Sequence, residues 1–173
     1  MKTIVILGPE STGKTTLAEQ LSKHLKAVYI PEYARTYVEN LSCGYTYDDV
    51  ETIAKRQVAD FKEAIAKDDN SAKYLVMDTF LIVTKVWFLH VFHRCPLWLQ
   101  PELEMAQIDL FLLCKPDIPW VDDPVRENPH LREYLYEWYK NELISLNATF
   151  VEIGGAGNSR TKHALQAIKT VFR

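Results

Sequence analysis

Short apolar runs alternate with longer amphipathic stretches along the chain. Each run is too short for a helix and is rich in β-branched or large apolar residues, which predicts buried strands. The predicted strands are 3–7, 28–30, 74–77, 110–114 and 149–153. The stretches between them predict helices, most clearly at 15–25, 47–67, 79–94, 130–146 and 159–172. This alternation predicts a five-stranded parallel sheet covered on both faces, an α/β/α sandwich.

Length, charge and hydrophobicity argue against nucleic-acid-binding and membrane-spanning classes of protein. The 173 residues are enough for a sizeable core, and we expect one domain over residues 1–173. A net charge of −3 argues against a nucleic-acid partner, because no surplus of positive charge is available to neutralise phosphates. The sequence contains no run of 18 apolar residues, so no membrane span is predicted. The first predicted strand begins at residue 3, which leaves too few residues before it for a signal peptide. We therefore expect a cytoplasmic protein, whose oligomeric state the sequence leaves open.

A glycine-rich loop follows the first predicted strand and precedes the first predicted helix. Gly8, Gly13, Lys14 and Thr15 meet the pattern G-x-x-x-x-G-K-[ST]. In this context backbone N–H groups surround nucleotide phosphates, the lysine reaches the β- and γ-phosphates, and the threonine ligates Mg²⁺. The sequence therefore predicts a P-loop fold that uses ATP and Mg²⁺. The predicted ATP-binding residues are Gly8, Glu10, Ser11, Thr12, Gly13, Lys14, Thr15 and Thr16.

Residues that follow the other strands are candidates for catalysis, because ligands gather at the carboxyl ends of parallel strands. Asp78 ends the third predicted strand and is expected to hold Mg²⁺ together with Thr15; a helix N-cap is the alternative. Thr79 stands where a motor ATPase usually has a second acid, and Leu81 stands where a GTPase has glycine. Transfer of phosphate to water is therefore less favoured than transfer to a second molecule.

Glu32 follows the second strand, at the edge where that second molecule should lie. Its carboxylate could accept a proton from a hydroxyl or hold a ribose, and the alternative is an ion pair with Arg35. A nucleoside monophosphate would need several arginines, and only Arg35 is near, so an uncharged alcohol is the expected acceptor. Gln57 lies on the apolar stripe of the 47–67 helix, where it either contacts a ligand or is satisfied within the core.

The segment from about 116 to 130 contains four prolines and mixed charges, which predicts a lid loop. Arg126, with Arg132 as a second candidate, could move onto the transferring phosphate. The alternative for Arg126 is a surface ion pair with a neighbouring acidic residue, which would contribute little.

Several motifs together resemble one known family. They are GPESTGKTT at 8–16, PEYAR at 31–35, the helix that carries Gln57, MDT at 77–79, TKVW at 84–87 and WVDDPVR at 120–126. The chain is similar to the ribosylnicotinamide kinase domain of the bacterial NadR-type regulator of NAD biosynthesis and to its free-standing relatives. The resemblance runs from Met1 to about the last helix, and the stretches around Glu32 and Trp120 are more specific than the phosphate loop.

The resemblance implies an ATP-dependent kinase that phosphorylates the 5′-hydroxyl of nicotinamide riboside to give nicotinamide mononucleotide. It implies Glu32 as base or ribose anchor, Asp78 as Mg²⁺ ligand, Arg126 in the lid, and Lys14 with Arg126 as charge neutralisers. Substrate binding is expected from Glu32, Tyr33, Arg35, Gln57, Trp87 and Trp120. Where some relatives have a tryptophan this chain has Pro31, so the residue that stacks on the base is expected among Tyr33, Phe61, Trp87 and Trp120.

Two other interpretations stay open at this point. One is a P-loop kinase for another nucleoside or small alcohol, and the other is an ATP-binding regulatory protein without kinase activity. The DNA-binding and adenylyltransferase domains of the full regulator have no counterpart in these residues, so only the kinase activity is implied.

Overall fold

The computed structural model describes residues 1–68, 71–123 and 128–173, in which five strands alternate with seven helices. The strands are β1 (Lys2–Leu7), β2 (Val28–Ile30), β3 (Tyr74–Asp78), β4 (Leu110–Cys114) and β5 (Phe150–Ile153). The helices are α1 (Lys14–Leu25), α2 (Tyr33–Glu39), α3 (Tyr47–Ala66), α4 (Leu81–Phe92), α5 (Leu99–Met105), α6 (Arg132–Ser145) and α7 (Gly157–Val171). None of these helices is long and apolar enough to cross a membrane.

All strands are parallel and lie in the order β2-β3-β1-β4-β5. The central strand β1 pairs with β3 on one side and with β4 on the other. The chain therefore builds one half of the sheet first and then crosses to the other side of β1. In parallel sheets such a switch point leaves a crevice at the carboxyl ends of the strands, where ligands bind.

The core consists of two apolar layers, one on each face of the sheet. Val5 and Leu7 face a layer formed with α3, α4, α5 and α6, whereas Ile4 and Ile6 face a layer formed with α1 and α7. This division follows from the two-residue period of a strand. The observed architecture confirms the predicted parallel α/β/α sandwich.

Two short helices have no counterpart in the sequence prediction. None of the residues of α2 is buried, and in α5 only Leu99 and Leu103 are. Neither helix therefore has an apolar stripe long enough to produce a helical period. The longer helices agree with their predicted ranges to within a few residues, because each carries such a stripe or a continuous apolar run.

Candidate active site

The phosphate loop crosses the carboxyl end of the sheet between β1 and α1. Gly8 has φ 146°, and a Cβ added to it would lie 2.8 Å from the Cys114 carbonyl oxygen at the end of β4. Gly13 has φ 73° and is the N-cap of α1. Both positions therefore require glycine, the first because of close backbone approach and both because of conformation.

The loop has the features of an anion site. Gly13 provides no side-chain cap for α1, and the first turn of the helix carries no acidic residue. The free N–H groups and the dipole of the helix N-terminus therefore favour a negative ligand at this end. Lys14 adds a positive charge, with its Nζ donating to the Pro9 carbonyl at 3.0 Å. The Thr12 hydroxyl donates to the same carbonyl at 2.8 Å and closes the loop on itself.

Arg160 of α7 supports the loop from behind, and the sequence prediction missed it. Only 4% of this residue is exposed. Its guanidinium donates to the carbonyls of Thr12, Gly155 and Lys115, and it pairs with the carboxylate of Asp117. A buried arginine with this many partners links the phosphate loop to the segments that follow β4 and β5.

Asp78, at the carboxyl end of β3, presents a buried carboxylate that suits a cation. It is 2% exposed, and no described residue donates a hydrogen bond to either oxygen. Burial and then the neighbouring Glu32 raise the pKa of this carboxyl to about 6, against opposing contributions from Lys14 and Thr15. Because carboxylate and hydroxyl oxygens are ligands that Mg²⁺ prefers, Asp78 and Thr15 fit the predicted ion.

Thr79, directly after Asp78, has a strained backbone. Its φ is 70°, an uncommon value for a β-branched residue. Its N–H donates to the Ile6 carbonyl at 3.1 Å, which ties the turn after β3 to β1. Its buried hydroxyl has no partner among the described residues. Such strain persists where surrounding structure enforces it, and it is concentrated at functional sites.

Glu32 is available to a ligand, because the alternative, an ion pair with Arg35, does not form among the described residues. Within the described residues Arg35 pairs with Glu39 at 3.0 Å and with Asp123 in the predicted lid segment. Glu32 is the N-cap of α2, but its side chain makes no capping hydrogen bond. It has no hydrogen bond or ion pair to any described residue and lines a cleft that also contains the phosphate loop.

This cleft has a volume of about 250 Å³ and joins the phosphate loop to the elements that follow it. All the predicted ATP-binding residues line it, as do four of the predicted substrate-binding residues. Those four are Glu32, Arg35, Gln57 and Trp87. The structure therefore brings residues from the phosphate loop, the turn after β2, α2, α3 and α4 to one cavity.

Three other aromatic candidates lie outside the lining of the cleft. Tyr33 lies under the guanidinium of Arg56, 5.3 Å from its ring centroid, in a neighbouring groove. Trp120 donates its indole N–H to Asp122 at 2.7 Å. Phe61 packs in the core. Among the four stacking candidates, Trp87 is the one that lines the cleft.

Sequence reasoning also missed several residues that line the cleft. Tyr45 packs against Trp87 with ring centroids 6.0 Å apart. Tyr139 of α6 is 3% exposed, and burial, followed by Glu10 and Glu32, raises the pKa of its hydroxyl. Tyr139 carries no motif. The one signal in the sequence is its position on the apolar face of α6. Core residues show the same signal, so it does not predict that Tyr139 lines a cleft.

The segments on both sides of residues 124–127 contact the phosphate loop. The Val121 N–H donates to the Ser11 hydroxyl at 2.9 Å, and the Asn128 N–H donates to the Glu10 carboxylate at 3.0 Å. Arg132 donates to the carbonyl of Ser11 at 3.2 Å. Arg126 lies outside the described residues, so its predicted role in the lid stays a prediction.

Comparisons with known proteins agree with the motifs. A family model described as AAA domain matches residues 3–160. The trifunctional NAD biosynthesis/regulator protein NadR of Salmonella typhimurium is 27% identical over 132 residues, and the NadR protein of Escherichia coli K12 is 30% identical over 132 residues. Each match covers 73% of this chain, and the chain spans 31% of the length of either relative.

Solved structures share the fold. A crystal structure of NadR protein in complex with NR superimposes with a TM-score of 0.85 at 24% identity, covering 98% of this chain and 51% of that one. A crystal structure of NadR protein in complex with NAD and AMP-PNP superimposes with a TM-score of 0.79 at 22% identity, and the match covers 98% of this chain and 49% of that one. Thymidylate kinase from Ehrlichia chaffeensis gives 0.67 at 12% identity, covering 98% of each chain. These similarities confirm the resemblance to the NadR-type domain and the P-loop fold.

Proposed function

The chain belongs to the AAA domain family, and on that premise we propose that it is an ATP-dependent kinase for the 5′-hydroxyl of nicotinamide riboside. One observation carries the proposal. A single cleft joins the complete phosphate loop to Glu32, an acidic side chain without a partner among the described residues. A protein that transfers phosphate to water needs no such acceptor chamber, whereas a kinase needs one beside the γ-phosphate.

The proposed reaction depends mainly on positioning and on neutralising charge. The loop N–H groups and Lys14 hold the β- and γ-phosphates, while Glu32 orients the acceptor hydroxyl and accepts its proton. Mg²⁺, held by Thr15 and Asp78 when bound, would neutralise charge on the phosphates. Arg126 is proposed to complete the neutralisation from the lid. The Asp123–Arg35 ion pair connects the start of that lid segment to α2, beside Glu32.

The side chains that line the cleft suit an acceptor whose base is flat and cationic. Trp87 and Tyr45 provide aromatic surface, and Val50, Ile53 and Leu135 provide apolar surface. The face of an aromatic ring attracts a cation, and a pyridinium ring carries a positive charge over its whole plane. The relatives named NadR and the NadR complex with NR agree with such a ligand.

The test is ADP release from ATP and Mg²⁺, measured with and without nicotinamide riboside and with a panel of other nucleosides. We expect release that depends on nicotinamide riboside and disappears in Lys14→Ala. Lys23→Ala is the matched control, because Lys23 is an exposed residue on the same helix. ADP release that no nucleoside changes would contradict the proposal and favour a regulatory ATP-binding protein. Release dependent on another nucleoside would keep the kinase and change its substrate.

A further inference from the structure

Gln57 and Thr84 form a buried hydrogen bond in the wall of the cleft. Gln57 lies on α3 and is 6% exposed, and Thr84 lies on α4 and is 5% exposed. The Thr84 hydroxyl donates to Oε1 of Gln57 at 2.6 Å. Both residues line the cleft that contains Glu32. The pair therefore joins two helices directly behind the proposed acceptor site.

This hydrogen bond determines which part of the Gln57 amide is left for a ligand. A glutamine amide has one oxygen acceptor and two N–H donors, and here Thr84 occupies the oxygen. No described residue accepts a hydrogen bond from Nε2 of Gln57. An amide nitrogen in an apolar wall is costly unless it finds an acceptor. The cleft wall at Gln57 therefore presents the N–H donors of Nε2 to a ligand.

The pair lies between the phosphate end and the aromatic end of the cleft. Helix α4 begins at Leu81, so Thr84 is about 4.5 Å and Trp87 about 9 Å along its axis at 1.5 Å per residue. Asp78 precedes this helix, and the Tyr45–Trp87 ring pair lies beyond Thr84. Apolar residues, among them Ile53, Val83 and Leu135, line the same cleft. A nucleoside with its 5′-hydroxyl at Glu32 would direct its base toward the Gln57–Thr84 pair.

We propose that Gln57, oriented by Thr84, selects the acceptor by the polar substituent of its base. Nε2 of Gln57 donates to an exocyclic carbonyl or carboxylate oxygen on the ring. A base with an exocyclic amino group in that place is rejected, because two donors would face each other in an apolar wall. The inference rests on the proposed function and extends it from a nucleoside to a chemical class, ribosides whose base carries an oxygen acceptor.

Three ribosides and one variant test this assignment. The ribosides are nicotinamide riboside, nicotinic acid riboside with a carboxylate in place of the carboxamide, and ribosylpyridinium without a substituent. Gln57→Glu keeps the size of the side chain and an oxygen for the Thr84 hydroxyl, but it replaces the donors with a negative oxygen. KM and kcat are measured for each riboside at saturating ATP and Mg²⁺, and KM for ATP is measured separately.

The wild-type protein is expected to use the carboxamide and carboxylate ribosides with KM at least about tenfold below that of ribosylpyridinium. In Gln57→Glu, KM for the carboxylate riboside should rise about 100-fold, because like charges meet. KM for the carboxamide riboside should rise less than about tenfold, because its own NH₂ can donate to the introduced carboxylate. KM for ribosylpyridinium should not rise, because the introduced carboxylate attracts the cationic ring. KM for ATP should change little, because Gln57 lies on α3 and not in the phosphate loop.

Two further variants separate selection from folding. Gln57→Leu should abolish the preference for substituted over unsubstituted riboside, measured as the ratio of kcat/KM between the two. Thr84→Val, which removes the orienting hydroxyl, should weaken the same preference, and Thr84→Ser should restore it. Gln166→Glu, on the exposed face of α7, is the matched charge control and should leave all constants as in the wild type.

The inference is overturned if Gln57→Glu or Gln57→Leu leaves the ratios of KM among the three ribosides as in the wild type. That result differs from failure of the proposed function. If the wild-type protein releases no ADP with any of the three ribosides, the proposed function and the inference both fail. If it releases ADP with all three but without preference, the inference alone fails.

Discussion

The phosphate end of the cleft and its proposed acceptor end are built in different ways. The phosphate end is formed by consecutive residues 8–16 and uses mainly backbone groups. The acceptor end is assembled from Glu32, Gln57, Thr84 and Trp87, which come from β2–α2, α3 and α4. A triphosphate is the same in every nucleotide and can be bound by one local loop. An acceptor varies, and its recognition requires side chains from separate elements.

The two ends also differ in how their polar groups are satisfied. At the phosphate end Thr12, Lys14 and Arg160 hydrogen-bond to the backbone of the site or its supports. At the acceptor end Glu32 and the Gln57 amide nitrogen have no partner among the described residues. The phosphate loop is therefore organised before a ligand arrives, whereas the proposed acceptor end, like Asp78 beside the loop, has polar groups available for one.

Glu32→Gln should affect the acceptor end alone. The variant removes the proposed proton acceptor, so kcat should fall about 10²–10⁴-fold while KM for ATP changes less than about twofold. The measurement is steady-state ADP release with nicotinamide riboside as acceptor. Glu133→Gln, at an exposed position of α6, is the matched control. A kcat close to the wild-type value would remove Glu32 from the mechanism.

Asp78→Asn should stabilise the metal-free protein while it abolishes activity. The folded pKa of about 6 exceeds the ordinary 3.8, so the folded state binds more protons between these values and loses stability as pH rises through them. Asparagine removes this loss, which should raise the free energy of unfolding at pH 7 by up to about 3 kcal/mol relative to the wild type. Urea unfolding with chelator and without nucleotide measures the difference.

The pH dependence is the decisive part of that experiment. The difference between Asp78→Asn and the wild type should shrink as pH falls from 7 toward 4, because the wild-type carboxyl then becomes protonated in the folded state. A difference that stays constant over this range would show that the carboxylate is not destabilised by burial.

Gly8→Ala should affect the phosphate end and the fold together. A Cβ would lie 2.8 Å from the Cys114 carbonyl oxygen, on a backbone with φ 146°. The free energy of unfolding should fall by about 1–3 kcal/mol, and ATP binding should weaken by at least about tenfold. Thermal unfolding and ATP titration measure the two effects. Gly44→Ala is the control, because a Cβ there meets no heavy atom within 4 Å. Equal behaviour of the two variants would contradict the close approach.

Arg160→Lys should have the smallest effect and should be confined to the phosphate end. Lysine keeps the charge but cannot reach several carbonyls at once, so KM for ATP should rise about tenfold. KM for the acceptor should stay as in the wild type, because Arg160 contacts no element of the acceptor wall. Lys162→Gln, exposed on the same helix, is the control. Equal changes in both KM values would indicate a general loss of structure instead.

Much of the fold could be predicted from the sequence. The strands, the long helices and the phosphate loop each depend on residues within a few positions of one another, such as the apolar runs and the spacing from Gly8 to Thr15. Short α2 and α5 could not be predicted, because neither buries an apolar stripe. The element order limited the possible topologies, and the rule for parallel sheets indicated the edge at which Glu32 and Asp78 meet.

The partners of the site residues were harder to predict. An ion pair between Arg35 and Glu32, three residues apart, was the local alternative for Glu32, but Arg35 pairs with Glu39 and with Asp123, which is 88 residues away. Arg160 contacts Thr12 across 148 residues, a separation that no local pattern reports. Tyr33 and Trp120 belong to the motifs that carry the family resemblance, yet the structure places neither in the lining of the cleft.

The amino-acid sequence was enough to predict the layered sheet, the phosphate loop and the carboxylates that follow the strands. Each of these depends on the periodic burial of side chains or on backbone conformations that only particular residues adopt. Only the packed structure reveals that Glu32 has no partner among the described residues, that Thr84 occupies the oxygen of Gln57, and that Arg160 supports the loop. These outcomes depend on which helices pack together, and packing brings together side chains that are far apart along the chain.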